Sequence, residues 1–295
     1  MRRIAALSAA VVAACAAAGD RPVRSSATEP RAAAHPVVAG TALEQNAACE
    51  RCHASIAETW RGSLHARSAT DPVYLRAFAI EPLPFCEGCH DPHRDRTIGT
   101  GCVTCHDAHD GQLRARACAD CHEFPFPDGR GKMQLTATEH ARSSRSGTAC
   151  AACHMPREGG HASHRFAASR DPELLRRAAT ITAARFEDVV MVTLARREAG
   201  HALPTGDIFR RLRVTARTTG DDETAIEVFL GRKTKLGEDR DDRPFASGDD
   251  RAEVRLRVRS EVTWSVVYER VEHPTSADET DAVLDGAIEL ASGTL

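Results

Sequence analysis

Ten of the eleven cysteines fall into C-x-x-C pairs, and each pair is followed at once by a histidine. The motifs are Cys49-x-x-Cys52-His53, Cys86-x-x-Cys89-His90, Cys102-x-x-Cys105-His106, Cys118-x-x-Cys121-His122 and Cys150-x-x-Cys153-His154. Zinc ribbons and thioredoxin-like dithiols also use C-x-x-C, but neither requires histidine at the next position every time. Five such coincidences have a chance on the order of one in a few million, so the pattern is read as covalent c-haem attachment. Two thiols a helical turn apart form thioethers to the porphyrin vinyl groups, and the next imidazole becomes the proximal axial ligand of iron. Five haem c groups are expected.

The distal ligands must come from elsewhere. Nine histidines lie outside the motifs: His35, His65, His93, His109, His140, His161, His164, His201 and His273. Five haems need at most five of them. His93 and His109 each follow a proximal histidine by three residues, so each projects to much the same side of its turn and cannot reach the opposite face of its own porphyrin. Either they ligate a neighbouring haem, weaving the chain around adjacent cofactors, or they are solvated loop histidines. His35 and His273 read as surface residues. The distal pool is therefore His65, His93, His109, His140, His164 and His201. Imidazole on both faces would close every iron and keep the potentials low, since methionine in an axial position raises them. Met133 and Met155 are further axial candidates, although Met155 directly follows a proximal histidine and reads better as packing.

These residues need elements to position them, and the chain divides into territories. Met1–Arg3 is basic, Ile4–Ala14 is apolar, and Val12-Ala13-Ala14-Cys15 resembles a bacterial lipobox, so residues 1–15 read as a lipoprotein signal peptide. The run is too short to span a bilayer. Its rival is an ordinary secretory signal cleaved nearby, with Cys15 discarded. Arg2-Arg3 lacks the rest of a twin-arginine pattern, so export is read as unfolded, which haem attachment outside the cytoplasm requires. Acyl chains on Cys15 would anchor the mature protein to a lipid membrane at its periplasmic face. Residues 16–48, rich in Ala, Pro, Arg, Ser and Thr, read as a flexible tether.

Residues 49–170 hold all five motifs and form the expected pentahaem domain, mostly α-helical and irregular, with a core of porphyrin faces and poor hydrophobic patterning. Residues 171–186 are expected as a connecting helix: Asp171 caps, Pro172 takes the first helical position, and Leu174, Leu175, Ala178 and Ile181 follow. Residues 187–295 switch to a period of two. Val189–Leu194 is a short apolar run, and alternation follows at Leu212/Val214/Ala216, Ile226/Val228/Leu230, Val254/Leu256/Val258 and Val262/Trp264/Val266, as in half-buried strands. Gly220–Glu223 supplies hairpin chemistry and the acidic stretch Gly237–Asp242 reads as a loop. The fold class is thus a two-part chain, the haem domain followed by an all-β antiparallel sandwich.

Cys49-Glu50-Arg51-Cys52-His53 followed by Trp60, Ser63, His65 and Ala66 resembles the C-x-x-C-H…W-x-x-S-x-H-A opening of multihaem cytochromes c related to the tetrahaem cytochrome c group and the octahaem hydroxylamine and tetrathionate enzymes. The resemblance implies that His65 is a distal ligand. Three later segments are similar to such cytochromes: Cys118–Pro127 with Met133-Gln134, Cys150–Pro156, and His164-Arg165-Phe166 leading to Asp171–Leu175. They imply axial imidazoles at His140 and His164. Gly200-His201-Ala202-Leu203-Pro204-Thr205-Gly206 resembles a G-H-x-x-P-T-G loop at the start of their C-terminal sandwich, which implies His201 facing a haem. The resemblance spans roughly residues 49–295. Five haems match neither four nor eight, so those enzymes' activities do not carry over. The absence of a C-x-x-C-K motif likewise weakens a nitrite reductase reading.

A formal net charge of -3 with a pI near 6.5 argues against nucleic acid as a partner. Three readings stand. In the first, closed six-coordinate haems relay electrons between redox partner proteins, and the chain is no enzyme. In the second, an oxidoreductase acts on a small nitrogen or sulfur species at one open haem. In the third, the sandwich docks a partner reductase that the haems wire. The histidine surplus favours the first. Of 39 basic residues only Lys132, Lys233 and Lys235 are lysines; arginine suits propionate pairing, but it is as frequent in the expected sandwich, so base composition explains it better.

Overall fold

A computed structural model describes residues 40–107, 111–127, 129, 131–219, 224–235, 238–272 and 282–295. Cys15, the expected signal and tether up to residue 39, His35, His109, His273 and the Gly220–Glu223 turn lie outside the described residues.

Short helices carry the motif region. α1 (Ala42–Cys52) starts at a reciprocal capping box, in which Thr41 Oγ1 accepts from Glu44 N at 3.3 Å and Glu44 Oε2 accepts from Thr41 N at 2.8 Å. α2 (Ala54–Arg61) follows, then α3 (Pro72–Ile80), where Asp71 caps Val73 N and Tyr74 N ahead of Pro72. α4 (Pro84–His90), α5 (Cys102–Cys105), α6 (Ala119–His122) and α8 (Cys150–His154) are turns built on the C-x-x-C-H motifs, and α7 (Thr136–Arg142) lies between the last two. Two small antiparallel ribbons, β1 (Glu123–Pro125) with β2 (Lys132–Leu135) and β3 (Arg157–Glu158) with β4 (His161–Ala162), complete this part. Its buried apolar side chains among the described residues are few: Ala57, Trp60, Ala69, Ile98 and Met155. So few buried apolar side chains make a thin core for this part of the chain.

α9 (Pro172–Ala178) starts as expected, with Asp171 Oδ1 accepting from Leu174 N at 2.9 Å, but it ends well short of residue 186. Ile181 belongs instead to β5 (Ala179–Phe186), which pairs with β6 (Val189–Arg196) along its whole length. The β-branched run Thr180-Ile181-Thr182 favours extended backbone, and the pairing overrides the helical spacing of the apolar residues. β7 (Arg210–Thr218), β8 (Ala225–Lys235), β9 (Glu238–Asp241), β10 (Arg251–Arg257), β11 (Val262–Val271) and β12 (Leu284–Thr294) follow.

They form two antiparallel sheets, ordered β10-β6-β5 and β12-β11-β7-β8-β9. Val190, Val192 and Leu194 from the first, and Leu212, Val214, Ala216, Val262 and Val266 from the second, are fully buried and belong to one core cluster. The register sets Val214 between Val228 and Val266, so the period-two alternation turns its apolar set to one face. The expected acidic loop at Gly237–Asp242 contains the edge strand β9, paired from Lys235↔Glu238 to Arg232↔Asp241. Charged residues suit an edge, which they protect from further pairing. β12 had no clear sequence signal because Gly286 and Gly293 interrupt its alternation.

Candidate haem-binding site

Each motif closes on itself. The backbone N–H of His53, His106 and His122 donates to the carbonyl of the first cysteine of its motif at 2.9–3.0 Å. That single turn brings the two thiols to one side and sends the imidazole off beside them. All ten described cysteines are free, as thioether formation requires. Among the described residues no three His, Cys, Asp or Glu side chains converge as they would around a bare metal ion; the histidines meet in twos.

Three pairs are formed. The ring centroids of His65 and His122 lie 6.2 Å apart with planes at 71°, those of His106 and His164 6.4 Å apart at 33°, and those of His154 and His201 6.1 Å apart at 8°. Every pair joins one proximal histidine to one member of the distal pool. Two metal–imidazole bonds of about 2 Å plus the two half-rings come to roughly 6 Å, so an iron fits between each pair.

Protonation fits as well. Burial, with smaller contributions from His122 and His154, lowers His65 to about 4. Burial likewise lowers His201 to about 4, against the opposing hydrogen bond to Ala202, and it pulls down His90, His122 and His164. These rings are neutral at neutral pH and keep a lone pair for iron. Hydrogen bonds select the nitrogen: Nδ1 of His90 faces Ser68 O (3.3 Å), of His106 Gln112 O (2.7 Å), of His122 Gln134 Oε1 (3.3 Å), of His154 Ala167 O (2.8 Å), of His164 Ala162 O (2.9 Å) and of His201 Ala202 O (3.0 Å). A neutral ring that donates from Nδ1 presents Nε2 to the metal. His65 differs, its Nδ1 being buried without a partner.

The W-x-x-S-x-H segment is held together by its own hydrogen bonds. Trp60 Nε1 donates to Thr100 O at 2.9 Å, Thr100 N donates to His65 O at 2.8 Å, and Ser63 Oγ accepts from Ala66 N at 3.1 Å. The turn carrying His65 is thereby latched to residues 99–100. Only glycine fits at 99, where a Cβ would overlap the His65 carbonyl and Ser68 Oγ.

The other pool members lie elsewhere. His93 bonds Thr104 Oγ1 through Nε2 at 2.7 Å, and no second ring faces it among the described residues. His140, on α7, donates from Nδ1 to Gly200 O at 2.7 Å, leaving Nε2 for other use. His90 lies flat against Tyr74, 4.2 Å between centroids and 2° from parallel. Met155 is buried, and Met133 O accepts from Arg232 at 2.9 Å.

The cysteines join one motif to another. Cys89 and Cys121 share a hydrogen bond, which raises the first thiol and, against burial, lowers the second. Burial pushes Cys102 up to about 12, with Cys49 close enough to add to it and to hydrogen-bond. Burial pushes Cys118 to about 11, aided by Cys150, and burial also raises Cys105.

No protein-family model matches the chain, and no curated protein matches it. Among solved structures, a penta-haem cytochrome c552 from Thermochromatium tepidum superposes with a TM-score of 0.64, covering 88% of this chain and 100% of its own at 19% identity. The chain has that cytochrome's fold. A superoxide reductase from Nanoarchaeum equitans covers 41% of this chain and 94% of its own at a TM-score of 0.23 and 9% identity, too low a likeness to carry argument.

Sequence reasoning passed over two features. Phe166 stands edge-on to His65 (4.3 Å, 84°) and to His164 (5.7 Å, 82°), a wedge between two distal candidates. Glu139 and Arg243 form a buried ion pair at 2.6 Å beneath the loop of His201. A sequence repeat does mark the helix that carries Glu139: His-Ala-Arg-Ser occurs at both His65–Ser68 and His140–Ser143. In each copy the serine Oγ folds back onto the histidine carbonyl, at 3.1 and 2.9 Å.

Proposed function

We propose that the chain is an exported multihaem c-type cytochrome that relays electrons through five covalently bound haems. The carrying observation is the set of three facing histidine pairs at 6.1–6.4 Å. Cys49/Cys52, Cys86/Cys89, Cys102/Cys105, Cys118/Cys121 and Cys150/Cys153 attach the haems, and His53, His90, His106, His122 and His154 are the proximal ligands. His164, His65 and His201 close the second faces of the third, fourth and fifth haems. When bound, each haem supplies a one-electron couple; the chain fixes its axial ligands, tautomers and neighbours.

The two-part organisation, haem domain then β-sandwich, is supported by the core shared between the two sheets. Residues 1–15 are the lipoprotein signal, and acylated Cys15 holds the protein at a bacterial membrane's periplasmic face through a tether shorter than the expected 16–48, because residues 42–48 belong to α1. Among the described residues no helix is long and apolar enough to cross a membrane.

A spectroelectrochemical titration tests the relay. Reversible one-electron steps at low potential without turnover of nitrite or hydroxylamine are expected; catalytic consumption of either would replace the relay by an enzyme. One observation favours that second reading at a single place: among the described residues no imidazole faces His90, whose ring meets Tyr74 instead. The haem at Cys86–Cys89 is where high-spin iron would be sought.

A further inference from the structure

The loop Gly200–Gly206 brings His201 from the start of the sheet region to His154. Nearly every residue around it is tied. On the near side, Arg196 Nη1 donates to Ala199 O at 2.9 Å and to His201 O at 3.1 Å, while His140 Nδ1 and Ser143 Oγ both donate to Gly200 O, at 2.7 and 3.0 Å.

On the far side a buried ion pair takes over. Glu139 and Arg243 have side chains 3% and 2% exposed and meet at 2.6 Å. Glu139 Oε2 accepts from Ala202 N at 3.3 Å and from Thr205 Oγ1 at 2.6 Å. Arg243 Nη1 donates to Pro204 O at 3.0 Å, its other donors being held by Asp241 at 2.7 and 2.6 Å. Leu203 N donates to Pro244 O at 3.0 Å. Residues 202–205 are thus each bonded by the pair or by the residue beside Arg243.

Buried ion pairs add little net stability over apolar residues of similar volume, because desolvation offsets the Coulomb gain. This one joins α7 to the chain after β9 across the His201 loop. Glu139 precedes His140, so a single turn of α7 grips the loop on both flanks of His201.

We propose that Glu139 and Arg243 are positioning residues that hold the His201 imidazole opposite His154, and so set the second axial ligand of the haem at Cys150–Cys153. The inference rests on the His154–His201 pairing of the proposed function. It gives the sheet region a part in iron coordination.

The test is EPR and potentiometry on the fully loaded ferric protein. The double variant Glu139→Met/Arg243→Met removes both buried charges together, leaving only the part-exposed Asp241 without its arginine. It is expected to retain five haems while one low-spin signal gives way to a high-spin one. Glu139→Gln keeps an acceptor for Ala202 N and Thr205 Oγ1 and should retain most of the low-spin signal. His201→Ala is the control and should convert the same single haem.

The proposal is overturned if the double variant keeps wild-type spectra and midpoint potentials while His201→Ala converts a haem. If His201→Ala itself changes nothing, the pairing falls and takes the proposal with it. Should the double variant fail to load its haems, Thr205→Val removes one bond of the clamp and leaves no charge unpaired. A shift in the g-values and potential of that one haem supports the proposal, and no shift overturns it.

Discussion

His154 and His201 face each other 6.1 Å apart with ring planes only 8° from parallel. His65 and His122 stand at nearly the same distance but are turned by 71°. Parallel imidazole planes split the iron d orbitals strongly, whereas crossed planes leave two of them nearly degenerate. The ferric protein should therefore show an ordinary rhombic low-spin EPR signal from the fifth haem and a strongly anisotropic one from the fourth. His65→Ala should remove only the anisotropic signal. Loss of the rhombic one instead would refute the assignment.

Phe166 packs edge-on against both His65 and His164. Phe166→Ala removes about 2 kcal/mol of packing and frees two distal rings together. In chemical denaturation the variant should unfold earlier. Its EPR should broaden for the third and fourth haems while the fifth stays sharp; broadening of the fifth alone would contradict the wedge.

Glu123 ties the first turn of α7 to β1: its carboxylate accepts from Thr138 Oγ1 at 2.8 Å and Thr138 N at 3.1 Å, with Lys132 Nζ at 3.2 Å. Burial alone would raise this carboxyl, but the Thr138 bonds and Lys132 outweigh it and hold the pKa below the ordinary 4.5. The folded state then binds fewer protons than the unfolded state. Its contribution to stability is complete above about pH 4.5 and is lost as pH falls through the folded value. Glu123→Gln should cost about 1 kcal/mol at neutral pH and flatten the decline of the thermal midpoint below pH 4.5. An unchanged acid limb would show that Glu123 does not carry it.

Cys15→Ser should release the mature protein from membranes on fractionation. Retention at wild-type level would point to an ordinary cleaved signal and some other attachment.

The proposed attachment turns are legible because thioether chemistry fixes both residue type and spacing within five residues. The strands around Leu212–Ala216 and Val262–Val266 were legible for a similar reason, a period of two that burial enforces. The facing histidine pairs were not, since His65 meets His122 and His154 meets His201 only after distant segments fold together, and no local pattern encodes which ring faces which. At Ile181 the helical spacing of apolar residues gave the wrong element, because a full-length strand partner outweighs local propensity. The edge strand at Glu238–Asp241 was hidden by its charge. Glu139 and Arg243 are far apart in sequence, and only the repeated His-Ala-Arg-Ser hinted that α7 does for His140 what the Trp60 segment does for His65.

The central claim, that five C-x-x-C-H turns each hold a covalent haem, is tested most directly by intact-mass measurement of the mature protein under denaturing conditions. A mass carrying five haem additions that survive unfolding is the predicted result. Three or fewer, or haems lost on denaturation, would contradict it.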